Sequence, residues 1–274
     1  MVTTKKIGKL KIALFSFDVI WEHPSENLVI FETIISDFYK CLSSSELPDI
    51  LIFPEMFSSG FSLRVHSAEG MNGLSYGWCK NIAIKYNTAV VTSIAIKEND
   101  MMFNRCFFIR PDVISGEDVY YDKRHLFRMA GEDENFTAGC RKVITTYKGW
   151  NICLNVCYDL RFPVWSRNVN REYDLLINVA NWPKRRENVL NPLLRARAIE
   201  NQAYVAFCNR AGFDPNAEYV GESEVFDFNG NSISSTYNIN GVNVSVSVLS
   251  SSELYKYRNK FPVWMDEDSF TVVK

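Results

Sequence analysis

Histidine is scarce in this 274-residue sequence, which contains only His23, His66 and His125. These three lie far apart, and no two cysteines have Cys-x-x-Cys spacing, so the sequence contains no zinc-binding pattern. It also contains no Gly-x-Gly-x-x-Gly or Walker sequence, which leaves a nucleotide cofactor without support. We therefore expect neither a metal nor a cofactor. We do not interpret GLSYG, residues 73–77, as the nucleophile elbow of a Ser-His-Asp site.

The sequence also lacks an excess of charge of one sign and a long hydrophobic run. The chain has 30 Lys and Arg against 32 Asp and Glu, a net charge of -2, and no basic run that would favour nucleic acid. The apolar stretch KLKIALFSFDVIW, residues 9–21, is too short and too charged to cross a membrane, and no small-residue cleavage site follows it. We expect a cytoplasmic protein without a nucleic-acid or membrane partner.

The seven cysteines do not have the pattern of a disulfide framework. Their number is odd and they are scattered along the chain, so we expect free thiols in a reducing compartment. Cys153 and Cys157 would lie on one face of a strand about 13 Å apart, too far for a disulfide. Cys157 ends an apolar run, where a free cysteine is either a small core residue or a nucleophile facing a pocket.

Strand-like and helix-like segments alternate along the chain. This alternation favours an α/β fold with buried sheets, and we interpret residues 1–274 as a single domain. We predict helices at 28–42, around 78–86, at 164–170 and at 193–202, the last with Asn191 as its N-cap and Pro192 at its first position. The tail resembles a hairpin, with Asn229-Gly230 as a turn signal. The predicted strands are 11–20, 48–57, 88–98, 104–112, 151–160, 173–182 and 203–212.

Ionisable residues follow three of the predicted strands. Glu55 comes after ILIFP, Lys123 after VYYD and Cys157 after CLNV. In open α/β sheets the carboxyl ends of strands line the ligand crevice, so these residues would supply a base, a cation and a nucleophile for attack on an acyl carbon. Each also has a simpler interpretation: a solvated loop carboxylate, part of a charged surface, and a core residue.

The three stretches DILIFPEMF, YDKRHLF and NVCYDLRFPVW, in this order, resemble the signatures of the nitrilase, or carbon–nitrogen hydrolase, superfamily. The resemblance extends along nearly the whole chain. It implies a four-layer α-β-β-α sandwich in which Glu55 is the general base, Lys123 stabilises the oxyanion and Cys157 is the nucleophile. It also implies a second glutamate, which we assign to Glu132 from the offsets of Phe136 and Gly139. Glu134 is the competing residue for that role.

Within the superfamily, the second half of the chain is most similar to bacterial omega-amidases. The similar stretches are KRHLFRMAGE, CYDLRFPVWSRN, ANWPKRR, RARAIENQAYV and KFPVWMDEDSF. This similarity implies hydrolysis of the terminal amide of 2-oxoglutaramate or a related short dicarboxylate monoamide, through a cysteine thioester. The superfamily also implies a homodimer or a larger assembly. A nitrilase, an N-carbamoyl hydrolase and a catalytically silent interaction module are the alternative functions.

An anionic substrate requires a cation in the pocket. Arg161 is our first candidate, since a guanidinium binds a carboxylate bidentately; a structural ion pair within DLRFP is the alternative. The backbone N–H of Tyr158 is a second oxyanion donor. Phe127 and Trp182 are candidate pocket walls, or core residues. We match no residue of FSLRVHSAEGMNG to a substrate contact. The further candidate cations are Arg128, Lys184, Arg185 and Arg186.

Overall fold

The structure is a computed structural model that describes residues 8–114 and 116–272. Within these ranges, no helix is both long enough and apolar enough to cross a membrane. The helices are α1 (Pro24–Lys40), α2 (Leu74–Tyr86), α3 (Glu132–Asn135), α4 (Pro163–Ser166), α5 (Leu190–Asn201) and α6 (Ser251–Lys260). Short 3₁₀ helices cover residues 65–67, 128–130, 157–161, 169–171, 184–189 and 263–266.

The strands form two large sheets and one small one. The strands are β1 (Lys9–Phe15), β2 (Ile50–Ile52), β3 (Ala89–Glu98), β4 (Met101–Ile109), β5 (Val119–Asp122), β6 (Ile144–Tyr147), β7 (Trp150–Val156), β8 (Leu175–Ala180), β9 (Tyr204–Asn209), β10 (Ala211–Phe213), β11 (Glu218–Val220), β12 (Glu224–Phe226), β13 (Ser235–Ile239) and β14 (Val242–Ser250). The first sheet has the order β13-β14-β1-β2-β3-β4-β5 and the second β12-β9-β8-β7-β6, while β10 and β11 pair separately.

Both large sheets have a parallel centre and antiparallel edges. In the first sheet β1, β2 and β3 are parallel, with β14 and β4 antiparallel on either side. In the second sheet β7, β8 and β9 are parallel, with β6 and β12 antiparallel outside them. Every residue of β8 and β9 is buried. Continuous apolar runs such as LLINVA suit such strands because both faces of the sheet are covered.

The two sheets pack face to face, with helices on the outside. One buried cluster joins residues of both sheets and forms the core between them. Helices α1 and α2 cover the outer face of the first sheet, and α5 covers that of the second. This is the four-layer α-β-β-α sandwich that the superfamily resemblance implies, and the expectation is confirmed. The central core includes Leu10, Ile12, Ile50 and Val91 from the first sheet and Ile152, Leu154, Ile177 and Ala206 from the second.

Two predicted helices need correction. Helix α5 begins at Leu190 with Val189 as its N-cap, because the 3₁₀ helix 184–189 has already turned the chain before Asn191. Pro192 is the third residue of the helix rather than, as predicted, the first, and still fits the first turn, where a backbone N–H has no intrahelical partner. The predicted helix 164–170 is instead α4 followed by a 3₁₀ turn.

The tail forms a hairpin at a different turn from the predicted one. Its long hairpin is β13–β14, whose register places Asn240-Gly241 at the turn. Asn229-Gly230 does lie in a turn, closed by a bond from the Gly230 N–H to the Asp227 carbonyl oxygen. The strand before that turn, β12, pairs with β9, and the turn itself closes only a single bridge between Phe226 and Ser232. The predicted turn therefore forms, but the strand before it pairs mainly with β9.

Candidate active site

Glu55, Lys123 and Cys157 meet at one end of the sandwich. Glu55 lies three residues after β2, and Lys123 follows β5 directly, in the first sheet. Cys157 follows β7 in the second sheet. All three line the same pocket, of about 510 Å³. The structure therefore brings together the three residues that follow strand ends, and the burial of Glu55 and Lys123 excludes a solvated loop and a charged surface for these two.

The Lys123 ammonium lies between two buried carboxylates. Its Nζ donates to Glu55 Oε1 at 2.9 Å and to Glu132 Oε1 and Oε2 at 3.1 and 2.9 Å. All three side chains are at most 1% exposed. The burial of a charge is costly unless the charge is paired, so each member of this cluster depends on the others for its ionised form.

Two asparagines complete the cluster. The Asn104 side-chain amide, from β4, donates to Glu55 Oε1 at 2.8 Å and to Glu132 Oε1 at 3.1 Å. The backbone N–H of Asn181, just after β8, donates to Glu55 Oε2 at 2.9 Å. Neither residue is a candidate from the sequence alone. Both oxygens of Glu55 are thus held by donors from the two sheets.

The surroundings shift the pKa of Lys123 and of Glu132 upward. Burial lowers the pKa of the lysine, but the negative charges of Glu132 and Glu55 outweigh it and raise the pKa above its usual value. Burial raises the pKa of Glu132, and the neighbouring Glu55 adds to that rise, while Lys123 opposes it. The lysine is therefore a permanent cation in this cluster.

The Glu132 assignment agrees with the geometry, and Glu134 does not fit. Glu132 is buried at the start of α3, and its Oε2 also accepts the backbone N–H of Phe127 at 2.6 Å, whereas Glu134 is exposed. Gly139 donates its N–H to the Lys123 carbonyl oxygen at 2.9 Å, and a Cβ there would lie 2.0 Å from the Asp122 carbonyl oxygen. The glycine is thus required for close packing against the lysine segment.

Cys157 occupies a sharp turn from strand to 3₁₀ helix. Its φ is +43°, in the left-handed region that non-glycine residues rarely adopt. Such a conformation costs of order 1–3 kcal/mol and persists only where the surrounding structure holds it. The residue is partly buried and lines the pocket. The turn therefore presents the thiol to the pocket rather than to the core.

The surroundings of Cys157 raise the pKa of its thiol. Burial raises its pKa well above the usual value, and the charge of Glu55 raises it further, while Lys123 lowers it. The Lys123 ammonium acts in the opposite direction and favours the thiolate. Its charge is already shared with two carboxylates, so burial outweighs it.

The four predicted substrate-binding residues all line the pocket. Tyr158, Arg161, Phe127 and Trp182 surround it with the catalytic candidates. The Arg161 guanidinium lies over the Trp182 ring at 5.0 Å. Trp182 and Phe127 thus form pocket walls, although Trp182 is also 97% buried against the core under α5.

Three arginines give the pocket a positive charge. Arg161, Arg185 and Arg186 line it, and none of them forms an ion pair with any residue in the described ranges. The ion pair proposed for Arg161 within DLRFP is therefore absent from the described part of the chain. Burial lowers the pKa of Arg186, and the charges of Arg185 and Arg161 lower it further. These groups repel one another and favour an anion.

The two other candidate cations point elsewhere. Arg128 pairs with Asp133 at 3.3 Å, and Lys184 pairs with Glu218 at 2.7 Å. Neither lines the pocket. Both side chains form ion pairs on the surface, so their closeness in sequence to the site residues does not place them in the pocket.

Loops without a role assigned from the sequence form part of the pocket wall. Phe61, Leu63 and Arg64, from FSLRVHSAEGMNG, line the pocket, together with Trp21. The ring of Phe61 lies 5.2 Å from the Lys123 ammonium. Part of the segment 214–219 also lines the pocket. In the sequence, the aromatic residue between FSSG and SLR was the only feature that could have indicated a pocket residue in this segment.

The stretch GLSYG does not form a nucleophile elbow. Ser75 lies in the first turn of α2, is 1% exposed and donates its hydroxyl to Ser58 Oγ at 2.7 Å. No strand leads into this turn, and Ser75 does not line the pocket. Within residues 8–114 and 116–272, no group of three His, Cys, Asp or Glu could hold a metal ion. All seven cysteines are free thiols.

Comparison with known proteins agrees with this geometry. The family model described as "Carbon-nitrogen hydrolase" matches residues 43–259. The chain is 40% identical to omega-amidase YafV of Escherichia coli K12 over 95% of its own length and 98% of the relative's. It is 31% identical to a 2-oxoglutaramate amidase of Bacillus subtilis 168 over 80% of its length and 83% of the relative's.

A solved structure shares the same fold. XC1258 from Xanthomonas campestris, a CN-hydrolase superfamily protein with an arsenic adduct in its active site, superposes with a TM-score of 0.86 at 36% identity. The match covers 97% of this chain and 99% of that one. Sandwich, pocket and relatives agree on an enzyme that hydrolyses C–N bonds. The chain belongs to the carbon-nitrogen hydrolase family and is an amidohydrolase of the nitrilase superfamily.

Proposed function

We propose that this enzyme hydrolyses the terminal amide of a small dicarboxylate monoamide, of the 2-oxoglutaramate or succinamate type, to the acid and ammonia. One observation carries the proposal: Cys157 shares its pocket with the Lys123–Glu55 pair and with three arginines that form no ion pair within the described residues. Similarity to an omega-amidase and to a 2-oxoglutaramate amidase supports the substrate class.

The first half of the reaction forms a thioester. Glu55 accepts the proton of the Cys157 thiol as the sulfur attacks the amide carbon. The carbonyl oxygen becomes negative and is held by Lys123 and the backbone N–H of Tyr158, a contribution of roughly 3–4 kcal/mol per preorganised donor. Collapse of this intermediate breaks the C–N bond. Glu55 returns the proton to the departing nitrogen, which leaves as ammonia because the amide anion is too basic.

The second half hydrolyses the thioester. Glu55 removes a proton from a water molecule as that water attacks the thioester carbon, and the proton then returns to the sulfur of Cys157 as it leaves. Glu132 orients Lys123 through two bonds and touches no substrate in this scheme. It therefore acts by fixing the ammonium at the oxyanion.

The far carboxylate of the substrate binds the arginines. Arg161 is the first choice, because its stacking on Trp182 restricts the guanidinium beside the cysteine turn. Phe127, under the Arg186 guanidinium at 4.7 Å, and Trp182 enclose the short carbon chain between the two ends. A buried carboxylate needs such a partner, so the arginines select anionic amides.

An ammonia-release assay tests the proposal. Succinamate and 2-oxoglutaramate should be good substrates, whereas butyramide, of similar length but uncharged, should lose orders of magnitude in kcat/KM. Glutamine should be poor because its ammonium faces the arginines, and nitriles should be poorer still. Equal rates on succinamate and butyramide would refute the anionic substrate. Preferred release from butyronitrile or an N-carbamoyl amino acid would favour the alternatives, and no release from any compound would favour a silent interaction module.

We also propose a single domain over residues 1–274, a homodimer and a cytoplasmic location. The common core of both sheets supports the single domain. Free thiols at all seven cysteines suit a reducing compartment. The homodimer rests on the superfamily resemblance, and light scattering of the purified protein at assay concentration measures it. A monomeric mass would refute it.

A further inference from the structure

Asp159 is a buried carboxylate that the reaction scheme does not use. It lies two residues after Cys157 and is 0% exposed. Its Oδ1 accepts the backbone N–H of His125 at 3.0 Å and lies 2.7 Å from His125 Nδ1. Its Oδ2 accepts the Tyr121 hydroxyl at 2.8 Å and the backbone N–H of Val156 at 3.0 Å. Four groups thus hold one side chain in a single orientation.

These partners flank two residues of the reaction. Tyr121 lies two residues before Lys123, and His125 lies two residues after it. Val156 directly precedes Cys157. The lysine segment continues from β5 in the first sheet, and the cysteine turn continues from β7 in the second. Asp159 therefore joins the segment that carries the oxyanion cation to the segment that carries the nucleophile.

The partners of Asp159 are themselves fixed. The His125 ring stacks on Phe162, with centroids 3.6 Å apart and planes at 4°. The Tyr121 hydroxyl accepts the Trp165 Nε1–H at 2.9 Å and the Arg124 backbone N–H at 3.1 Å. A buried group whose hydrogen bonds are all satisfied in one geometry makes its surroundings rigid.

The cysteine turn needs such support. Cys157 holds a left-handed conformation, and the bond from Val156 to Asp159 spans it. We infer that Asp159 is a positioning residue: it fixes the Cys157 thiol relative to the Lys123 ammonium by tying the cysteine turn to Tyr121 and His125. This inference rests on the proposed roles of Cys157 and Lys123.

The test compares two isosteric substitutions, Asp159→Asn and Asp174→Asn. Asp174 is the matched control because it is equally buried and accepts bonds from the Asn151 backbone, Tyr255 and Arg258. None of these partners lines the pocket. Both variants turn an acceptor oxygen into a donor that faces other donors, so both should lower the melting temperature.

Only the change at Asp159 should alter the chemistry. We expect Asp159→Asn to lower kcat on succinamate about a hundredfold with KM little changed, as misplacement of a reacting group does. Asp174→Asn should retain kcat once rates are divided by the folded fraction from circular dichroism. Tyr121→Phe, which removes one of the four bonds and keeps the ring, should show a smaller loss of the same kind. It serves as the test if Asp159→Asn fails to fold.

Two outcomes would overturn the inference. One is a folded Asp159→Asn whose kcat equals that of Asp174→Asn. If Asp159→Asn does not fold, the same result for a folded Tyr121→Phe overturns the inference. The other is a loss that appears in KM alone, which would make Asp159 a determinant of substrate binding. Cys157→Ala, assayed in parallel, separates this failure from that of the proposed function. An active Cys157→Ala would refute the thioester mechanism, whereas an inactive one leaves it standing and makes the Asp159 result decisive.

Discussion

Asn181 binds Glu55 across the two sheets through both its backbone N–H and its side-chain amide. The Asn181 backbone N–H donates to Glu55 Oε2 at 2.9 Å, and its side-chain amide donates to the Glu55 backbone oxygen at 2.8 Å. Asn181 follows β8 of the second sheet, and Glu55 lies beyond β2 of the first. The base is therefore held from both halves of the sandwich. These bonds fix the carboxylate in the position from which the proposed mechanism has it accept and return protons.

Glu55→Gln should slow both halves of the reaction, because one carboxylate serves every proton transfer. Gln keeps the size of the side chain but cannot act as a base at neutral pH. We expect kcat to fall 10²-fold or more, with neither product nor acyl-enzyme accumulating. Mass spectrometry of the protein during turnover of succinamate measures the acyl-enzyme, and ammonia release measures the product.

The control for this variant is Glu69→Gln. Glu69 accepts the backbone N–H groups of Ser75 and Tyr76 at the start of α2 and does not line the pocket. Its variant should keep its activity. If the Glu55 variant formed thioester at the wild-type rate and accumulated it, Glu55 would serve deacylation only.

Cys157→Ala should abolish ammonia release and leave the fold intact, since the thiolate is the proposed nucleophile and the side chain is only partly buried. Ammonia release and the melting temperature are the two measurements. Cys153→Ala is the paired control: Cys153 is fully buried beneath α5, so its loss should lower stability and spare activity.

The sequence identified the groups of the site that belong to short, continuous motifs. Glu55, Lys123 and Cys157 each stand in a recognisable stretch at the end of an apolar run, so their convergence could be predicted. The sandwich itself followed from the resemblance to the superfamily. Alternating strands and helices alone fit a single open sheet equally well, because that pattern does not record which strands face each other.

The residues that were missed act over long separations in sequence. Asn104 reaches Glu55 across 49 residues, and Asn181 reaches it across 126. In the sequence each is one polar residue in or beside a buried strand, which any satisfied core amide resembles. Asp159 was hidden in the same way, since its partner Tyr121 lies 38 residues away. Such contacts emerge only once the two sheets have been brought together.

The pH dependence of thiol reactivity tests the state of the site at rest. Burial and Glu55 raise the pKa of Cys157, so we expect the thiol to be protonated at neutral pH and the thiolate to form only at higher pH. We expect the rate of Cys157 alkylation by iodoacetamide to keep rising above about pH 9, past the ordinary cysteine pKa of about 8.5.

Denatured protein is the control for this measurement, because Cys157 should then titrate near the ordinary value and its alkylation rate should level off. Peptide mass spectrometry follows this thiol separately from the other six. A plateau in the folded protein below about pH 8 would contradict the raised pKa and would indicate a resting thiolate.

The arginine prediction concerns specificity. Arg161→Met should lower kcat/KM on succinamate about a hundredfold and leave the low rate on butyramide unchanged. Only succinamate has a carboxylate, and in the variant that carboxylate loses the guanidinium it binds. Met keeps the apolar contact with Trp182, so the pocket wall survives. Arg195→Met is the matched control, since Arg195 likewise lies over an aromatic ring, that of Phe226, but outside the pocket.

The comparison of the two substrates decides what Arg161 does. A drop of equal size on succinamate and butyramide would mean that the variant disturbs the cysteine turn, four residues away, and that Arg161 does not read the carboxylate. No drop on either substrate would indicate that the carboxylate binds Arg185 or Arg186, which share the pocket. A selective loss on succinamate, with Arg195→Met unchanged, would connect the unpaired positive charge of the pocket to the choice of substrate.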